Sequence, residues 1–203
     1  MKKYATPLSE TDLSEIAAAL RAGATALMPT DTVYGIAAHP SCAAGVAKLF
    51  ALKHRDASKP LPLLAASSEA VAECGLCLSA AERAVAKQFW PGALTLIVKG
   101  MGNAAAATEG VRVPDNATAR ALCAAAGGLL RCTSANESGE TPALDAAAAA
   151  AALPDADILV DGGAATIGFA SAVAKITADG IEIIREGAVS KEDMQRAINN
   201  VIL

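Results

Sequence analysis

The feature that most constrains the fold of this 203-residue chain is the alternation of short apolar runs with segments of helical periodicity. Near the start, apolar residues recur at spacings of three and four from Leu13 to Leu20, and the apolar run 24–28 then stops at Pro29. The first pattern is typical of one face of a helix, and the second of a buried strand. The alternation predicts helices over 9–22, 43–52, 79–89 and 118–126, between Asp145 and Pro154, and after Ser190, with strands over 24–28, 61–66, 94–99, 111–113, 129–133, 158–160, 172–176 and 181–185.

Strands and helices that interleave along the whole chain predict an α/β or α+β fold with one large sheet. Gly180 lies where two predicted strands meet and can turn the chain between them, so a mixed sheet is favoured over a purely parallel one. The apolar fraction is 53% and the charged fraction 19%, which provides a sizeable core and argues against disorder. Aromatic residues make up only 3%, so the core is expected to rest on Leu, Val and Ile.

The charge balance and the first residues narrow the class of protein. The net charge is −4, whereas proteins that hold nucleic acid through its phosphates usually carry a basic face. Nucleic acid is therefore expected to be at most a weak, transient contact. Residues 1–10 lack the apolar region of a signal peptide, and no apolar stretch has the length of a membrane span. A cytoplasmic protein with no membrane association is predicted.

The cysteines and histidines do not form a recognisable metal or redox motif. Cys74 and Cys77 make a single C-x-x-C, and the second pair that a four-cysteine zinc site requires is missing. His39 and His54 are the only histidines, and neither belongs to a zinc-binding or catalytic-triad pattern. The cysteines are interpreted as ordinary thiols, and no protein-held metal is predicted.

Five polar clusters lie at the ends of apolar runs or helices, which is where open α/β sheets bind their ligands. Lys53, Arg55 and Lys59 can cradle a phosphate chain, although alone they fit a solvated helix end better. The loop 133–139 offers hydroxyls, an amide and backbone N–H groups to an anion or nucleotide. Such side chains stabilise charge in phosphoryl or nucleotidyl transfer without a covalent nucleophile. The clusters are 29–35, 53–59, 111–114, 133–139 and 185–187.

In this order the clusters resemble the YrdC/YwlC family, the threonylcarbamoyl-AMP synthases. The resemblance covers about residues 8–187 and includes Lys-x-Arg at 53 and 55, Val-Arg-Val-Pro at 111–114 and Arg-Glu-Gly at 185–187. It implies a short, single-domain form with a twisted open mixed sheet, flanking helices and a concave, positively charged cavity. The implied domain spans 8–190, and 191–203 forms a C-terminal helical tail.

The resemblance also implies a role for ten residues of this chain. Lys53 and Arg55 are expected to be catalytic, and Arg112 is expected to pair with the carboxylate of L-threonine. The implied L-threonine contacts are Thr32, Arg112 and Ser171. The implied ATP contacts are Lys53, Arg55, Lys59, Thr108, Ser134, Asn136 and Arg185. The chain departs from the family at Lys59, where many relatives have asparagine, and at Leu64, near which longer relatives often have histidine.

The implied reaction joins L-threonine, bicarbonate and ATP into threonylcarbamoyl-AMP and pyrophosphate, with Mg²⁺ accompanying the ATP. A partner enzyme would then use the product to modify adenosine in tRNA. One alternative is an RNA-binding or ribosome-associated module without ATP turnover. Another is carbamoyl-adenylate chemistry on a different substrate, as in hydrogenase-maturation relatives, which are larger and carry zinc-finger cysteines.

Because Lys53 and Arg55 follow a helix, their truncation is expected to cost the fold only about 0.5 kcal/mol.

Overall fold

The computed structural model of the chain describes residues 1–56, 59–100 and 108–202. Its helices are α1 (Glu10–Arg21), α2 (Ala43–Leu52), α3 (Ser68–Glu73), α4 (Ala80–Phe89), α5 (Ala117–Ala125), α6 (Ala146–Ala152) and α7 (Lys191–Ile202). Its strands are β1 (Lys2–Ala5), β2 (Ala26–Met28), β3 (Gly35–Ala38), β4 (Leu63–Ala65), β5 (Leu76–Cys77), β6 (Leu94–Gly100), β7 (Thr108–Arg112), β8 (Leu129–Ser134), β9 (Ile158–Asp161), β10 (Ala172–Thr177) and β11 (Gly180–Arg185). No helix in these ranges is both long and apolar enough to cross a bilayer.

The described strands form one open sheet in the order β1-β9-β2-β3-β8-β4-β7-β6-β10-β11, and the short β5 pairs with β6. Pairs such as β1–β9, β4–β7 and β6–β10 are parallel, whereas β2–β3, β6–β7 and β10–β11 are antiparallel. The predicted mixed sheet with flanking helices is confirmed. The predicted turn at Gly180 is also present, because φ at Gly180 is +129°, a value that residues with a side chain rarely adopt.

The capping residues explain where several helices begin. Ser79 and Glu82 form the predicted capping box, in which each side chain accepts a hydrogen bond from the other residue's backbone N–H. Asp145 caps the alanine-rich α6 as predicted, because its side chain accepts from the backbone of Ala148. These caps fix the starts of α4 and α6 from local sequence alone.

Four short elements were not predicted: β1, β3, α3 and β5. Strand β1 reads Lys-Lys-Tyr-Ala and is mostly exposed, so it lacks the apolar run of a buried strand, yet it pairs in parallel with β9. Strand β3 follows the polar cluster 29–35 directly and is fully buried. Tertiary pairing rather than local pattern makes these segments strands.

Three apolar clusters of Leu, Val, Ile and Ala pack on the faces of the sheet. The predicted tail is helix α7, which buries Met194, Ala197 and Ile198 in the same cluster as Leu96 and Val111. It packs against α4 and β11. Strand β1 precedes the predicted 8–190 domain and α7 follows it, and both contact that domain through the sheet or the core. The boundary at residue 190 stays a prediction.

Candidate active site

A cavity of about 990 Å³ lies against the curved sheet. One wall is formed by β6, β7, β10 and β11, and the other by the loop after β2, the residues after α2 and the end of β8. Pockets for ligands of drug size commonly range from about 300 to 1,000 Å³, so this one has room for a nucleotide and a small second ligand.

Eight of the ten site residues predicted from the sequence line this cavity. They are Thr32, Arg55, Lys59, Thr108, Arg112, Ser134, Ser171 and Arg185. Lys53 and Asn136 are not among the lining residues, and both are buried. Most of the predicted site residues therefore lie at the cavity, and the other two lie behind its wall.

Arg112 is the best-anchored cation of the cavity. It lies at the end of β7 and is 5% exposed. Its Nε donates to the carbonyl of Gly92 at 2.8 Å and its Nη1 to Thr32 Oγ1 at 2.7 Å, while Nη2 forms an ion pair with Asp31. Burial lowers the pKa of Arg112, and the charge of Asp31 opposes that shift. Guanidinium has five N–H donors, so two remain for a ligand once these described contacts are made.

Asp31, the ion-pair partner of Arg112, belongs to the polar cluster 29–35 but was not among the predicted site residues. It is 4% exposed, and its Oδ2 has no hydrogen-bond partner within the described ranges. Asp31 is 81 positions from Arg112 along the chain, and only the fold brings the two residues together. The negative charge of this buried carboxylate is therefore compensated by the positive charge of Arg112.

Lys53 occupies a different environment from the one predicted. It caps the C-terminal end of α2 and is only 1% exposed, so its interpretation as part of a solvated helix end was wrong. Its Nζ donates to the carbonyl oxygens of Ser134 and Asn136 and, at 3.3 Å, to Asn136 Oδ1. Burial, with a smaller contribution from the positive charge of Arg55, lowers the pKa of Lys53 to about 8. Lys53 thus ties helix α2 to the loop after β8.

Asn136 also serves that loop. Its Nδ2 donates to the carbonyls of Glu137 and Glu140 at 2.8 and 2.6 Å, so the amide folds the loop back on itself. The backbone N–H of Ser138 in turn donates to the carbonyl of Lys53 at 3.0 Å. Together these bonds fix where Ser134 lies at the cavity wall.

The far side of the cavity is organised around Ser171. Its Oγ lies 2.9 Å from Thr95 Oγ1 and accepts from Arg185 Nη2 at 3.2 Å, while Arg185 Nε donates to the Ser171 carbonyl at 2.9 Å. Partial burial and the positive charge of Arg112 lower the pKa of Arg185. Two guanidinium groups that line one cavity form an environment suited to an anion.

Lys175 and Glu182 line the cavity but were not among the predicted site residues. They face each other across β10 and β11, two strands that the sequence did predict, with a turn at Gly180. Side chains alternate between the two faces of a strand, so pairing the two predicted strands about Gly180 would have placed Lys175 and Glu182 on the same face of the sheet. Among the described lining residues, the cationic Arg55, Lys59, Arg112, Lys175 and Arg185 outnumber the one carboxylate, Glu182.

Gly187 allows the chain after β11 to pass against the start of β10. A Cβ placed on Gly187 would lie 2.2 Å from the backbone nitrogen of Ala172 and 2.8 Å from the carbonyl carbon of Ser171.

We expect Gly187→Ala to lower the free energy of unfolding by about 1–3 kcal/mol, because backbone atoms must shift to make room. Urea titration measures this loss. Gly110→Ala is the matched control, because a Cβ on Gly110 would come no closer than 3.4 Å to its neighbours. Unchanged stability of Gly187→Ala would contradict the close approach.

Neither a metal cluster nor a disulfide is formed by the part of the chain that is described. No group of three or more His, Cys, Asp or Glu side chains there is arranged to hold a metal ion. The five cysteines are free thiols, and Cys74 donates a weak hydrogen bond to the Gly127 carbonyl at 3.5 Å.

A family model for the Sua5/YciO/YrdC domain, described as telomere recombination, matches residues 18–187. The chain belongs to the Sua5/YciO/YrdC family. This Sua5/YciO/YrdC chain is 40% identical over 156 residues to a Chromohalobacter salexigens protein named threonylcarbamoyl-AMP synthase, covering 74% of this chain and 84% of the relative. A Bacillus subtilis protein of the same name is 30% identical over 202 residues, covering 95% of this chain and 58% of the relative. The resemblance inferred from the motifs is confirmed.

Solved structures of Sua5/YciO/YrdC proteins share this fold. The crystal structure of P. abyssi Sua5 complexed with L-threonine has a TM-score of 0.86 at 27% identity, over 97% of this chain and 60% of that one. Escherichia coli YciO has a TM-score of 0.81 at 19% identity, over 95% of this chain and 98% of that one. The chain thus spans about three-fifths of the B. subtilis and P. abyssi proteins.

Proposed function

We propose that the protein is a threonylcarbamoyl-AMP synthase, which forms threonylcarbamoyl-AMP and pyrophosphate from L-threonine, bicarbonate and ATP. The observation that carries the proposal is the cavity itself, which joins the anchored guanidinium of Arg112 to the cations Arg55, Lys59 and Arg185. Relatives that bear this enzyme's name align over most of the chain.

Within this proposal the cavity has two regions. The two remaining N–H donors of Arg112 take the carboxylate of L-threonine, with Thr32 and Ser171 beside it. Arg55, Lys59 and Arg185 take the phosphates, and Thr108 and Ser134 lie along the nucleotide. Lys53 and Asn136 support the nucleotide region indirectly, since their donors hold the loop after β8.

The proposed chemistry proceeds in two steps. The amine of L-threonine combines with bicarbonate, releasing water, to give a carbamate. A carbamate oxygen then attacks the α-phosphorus of ATP, and the bond to the β-phosphate oxygen breaks to release pyrophosphate. Negative charge grows on the phosphate oxygens, and the cationic lining, with Arg55 as the proposed catalytic residue, stabilises it. Magnesium would accompany the ATP, bound mainly through its phosphates.

The product is proposed to pass to a partner enzyme that modifies adenosine in tRNA. Direct contact with tRNA is proposed to be weak, because the net charge of −4 gives little attraction for phosphates. The proposed location is the cytoplasm, where tRNA, ATP and L-threonine are all present.

Pyrophosphate release tests the proposal directly. We expect release from ATP to require both L-threonine and bicarbonate. It should be slower with L-serine, because loss of one methyl contact costs about 1–3 kcal/mol of binding. The assay compares L-threonine, L-serine and no amino acid, each with and without bicarbonate. Equal rates in all arms would refute the proposal. Salt-dependent RNA binding without ATP turnover would instead favour the RNA-binding alternative.

A further inference from the structure

The sheet face that lines the cavity carries two rows of side chains. The inner row consists of register partners on β6, β10 and β11: Thr95, Val173 and Arg185. The outer row consists of register partners on the same three strands: Ile97, Lys175 and Glu182. Every member of both rows lines the cavity. The outer row lies two residues farther along β10, which is about 7 Å from the inner row.

The two rows differ in charge. The inner row ends in Arg185, whose guanidinium suits the oxygens of phosphates and carboxylates. The outer row sets a cation beside Glu182, the one carboxylate among the described residues that line the cavity. Because a carboxylate repels phosphate, the outer row is unsuited to a phosphate chain. It suits a ligand group that offers a hydrogen-bond donor beside an acceptor.

Lys175 and Glu182 are both available to such a group. They lie directly opposite each other in the antiparallel β10–β11 pair, where the Cβ atoms of opposite residues are about 4.5–5.5 Å apart. Lys175 is half-buried and Glu182 is exposed. Within the ranges that the structure describes, neither side chain makes a hydrogen bond or an ion pair. The strand register thus holds an ammonium donor and a carboxylate acceptor close together at the cavity.

An apolar surface adjoins the two charges. Ile97 completes the outer row, and Ile184, which is 55% exposed, lines the cavity on the strand of Glu182. From the opposite wall, Pro62 would lie 3.4 Å from a Cβ placed on Gly110, the register partner of Ile97. A flat ring with a polar edge fits this place, because its faces can contact aliphatic groups while its edge meets the charges.

We propose that Lys175 and Glu182 recognise the adenine base of ATP, with Glu182 accepting from the 6-amino group and Lys175 donating to an adjacent ring nitrogen. Both edges of adenine present that amino donor beside a nitrogen acceptor. Guanine matches the pair through one edge only, because its N7 edge carries two acceptors. The inference rests on the proposed function, and it places the ribose between the outer row and the phosphate-binding Arg185.

Calorimetric titration of the full-length protein with a non-hydrolysable ATP analogue and with inorganic triphosphate tests the inference. We expect Glu182→Ala and Lys175→Met each to weaken binding of the ATP analogue about tenfold, because each removes a charge-assisted hydrogen bond to the base. Triphosphate has no base, so Glu182→Ala should not weaken its binding and Lys175→Met should weaken it far less. The preference for the ATP analogue over the matching GTP analogue should fall in both variants.

The sign of the effect in Glu182→Ala separates the two interpretations of this carboxylate. A carboxylate without a role in base binding would only repel the phosphates, so its removal would tighten binding of the ATP analogue. Tighter or unchanged binding in Glu182→Ala would overturn the inference. Equal losses for the ATP analogue and triphosphate in Lys175→Met would also overturn it, because they would show a phosphate contact. Glu182→Gln keeps an acceptor oxygen and should lose less affinity than Glu182→Ala.

Asp179→Ala is the matched control. Asp179 is exposed in the turn between β10 and β11 and is not among the lining residues, so this variant removes the same charge from the same hairpin. It should leave binding of the ATP analogue unaltered. Thermal unfolding verifies that each variant is folded at the titration temperature, and Glu182→Gln provides the test if Glu182→Ala does not fold. Absence of ATP-analogue binding in the wild-type protein would instead count against the proposed function.

Discussion

Arg112→Ala is expected to lower the free energy of unfolding by about 3–5 kcal/mol, because it leaves the buried carboxylate of Asp31 without its counter-charge. Asp31 is 4% exposed and its second oxygen already has no described partner, so water cannot readily compensate. Chemical denaturation measures the loss. Arg196→Ala is the matched control, since Arg196 is 69% exposed and its ion pair with Asp193 lies on the surface. That control should change stability by at most about 1 kcal/mol.

Arg112→Lys separates the structural role of Arg112 from its proposed binding role. Lysine keeps a positive charge near Asp31 but lacks the planar fork that holds a carboxylate through two N–H bonds. We expect it to retain more stability than Arg112→Ala and yet to bind L-threonine at least about tenfold more weakly. Wild-type affinity for L-threonine in Arg112→Lys would show that the carboxylate is held elsewhere.

Lys53→Ala is expected to cost about 3 kcal/mol of stability, because three acceptors of the loop after β8 lose a charged donor in a buried site. This revises the small loss expected from the sequence, which assumed a solvated side chain. Thermal or urea unfolding measures the change, and Lys87→Ala, on the exposed face of α4, is the control with an expected change within about 0.5 kcal/mol. A loss in Lys53→Ala as small as in the control would contradict the anchoring role.

Arg55→Ala should show the opposite balance. Arg55 lines the cavity, and its side chain donates to the carbonyls of Lys59 and Pro60, at 3.4 and 3.1 Å. We expect little loss of stability but a ten- to thousand-fold loss of pyrophosphate release, about the range seen when a charge-stabilising donor is removed. Normal turnover in Arg55→Ala would show that Arg55 has no catalytic role and is only a solvated residue after helix α2.

Local sequence predicted the parts of this fold that local physics determines. Ser79 and Asp145 cap the predicted helices, and buried strands such as β4 and β9 coincide with apolar runs. Strand β1 escaped prediction because it becomes a strand only through pairing with β9, more than 150 residues away. Long-range pairing of this kind leaves no trace in local periodicity.

The same distinction separates the predicted from the unpredicted parts of the site. The order of the motifs correctly predicted eight residues that line the cavity, because each motif lies at the end of a strand or helix. It did not reveal that Lys53 is buried, because a lysine after a helix has the same sequence pattern whether solvent or a loop covers it. It also did not reveal that Asp31 pairs with Arg112, because Arg112 lies on a strand that only the tertiary fold brings close.

The position of β9 between β1 and β2 has a consequence for the order in which the chain can fold during synthesis. Among the described strands, β1 pairs only with β9, and one edge of β2 is also covered by β9. Those edges stay open until residue 161 has left the ribosome, and an open strand edge invites pairing with other chains. The mostly exposed, lysine-bearing sequence of β1 disfavours such pairing during that interval.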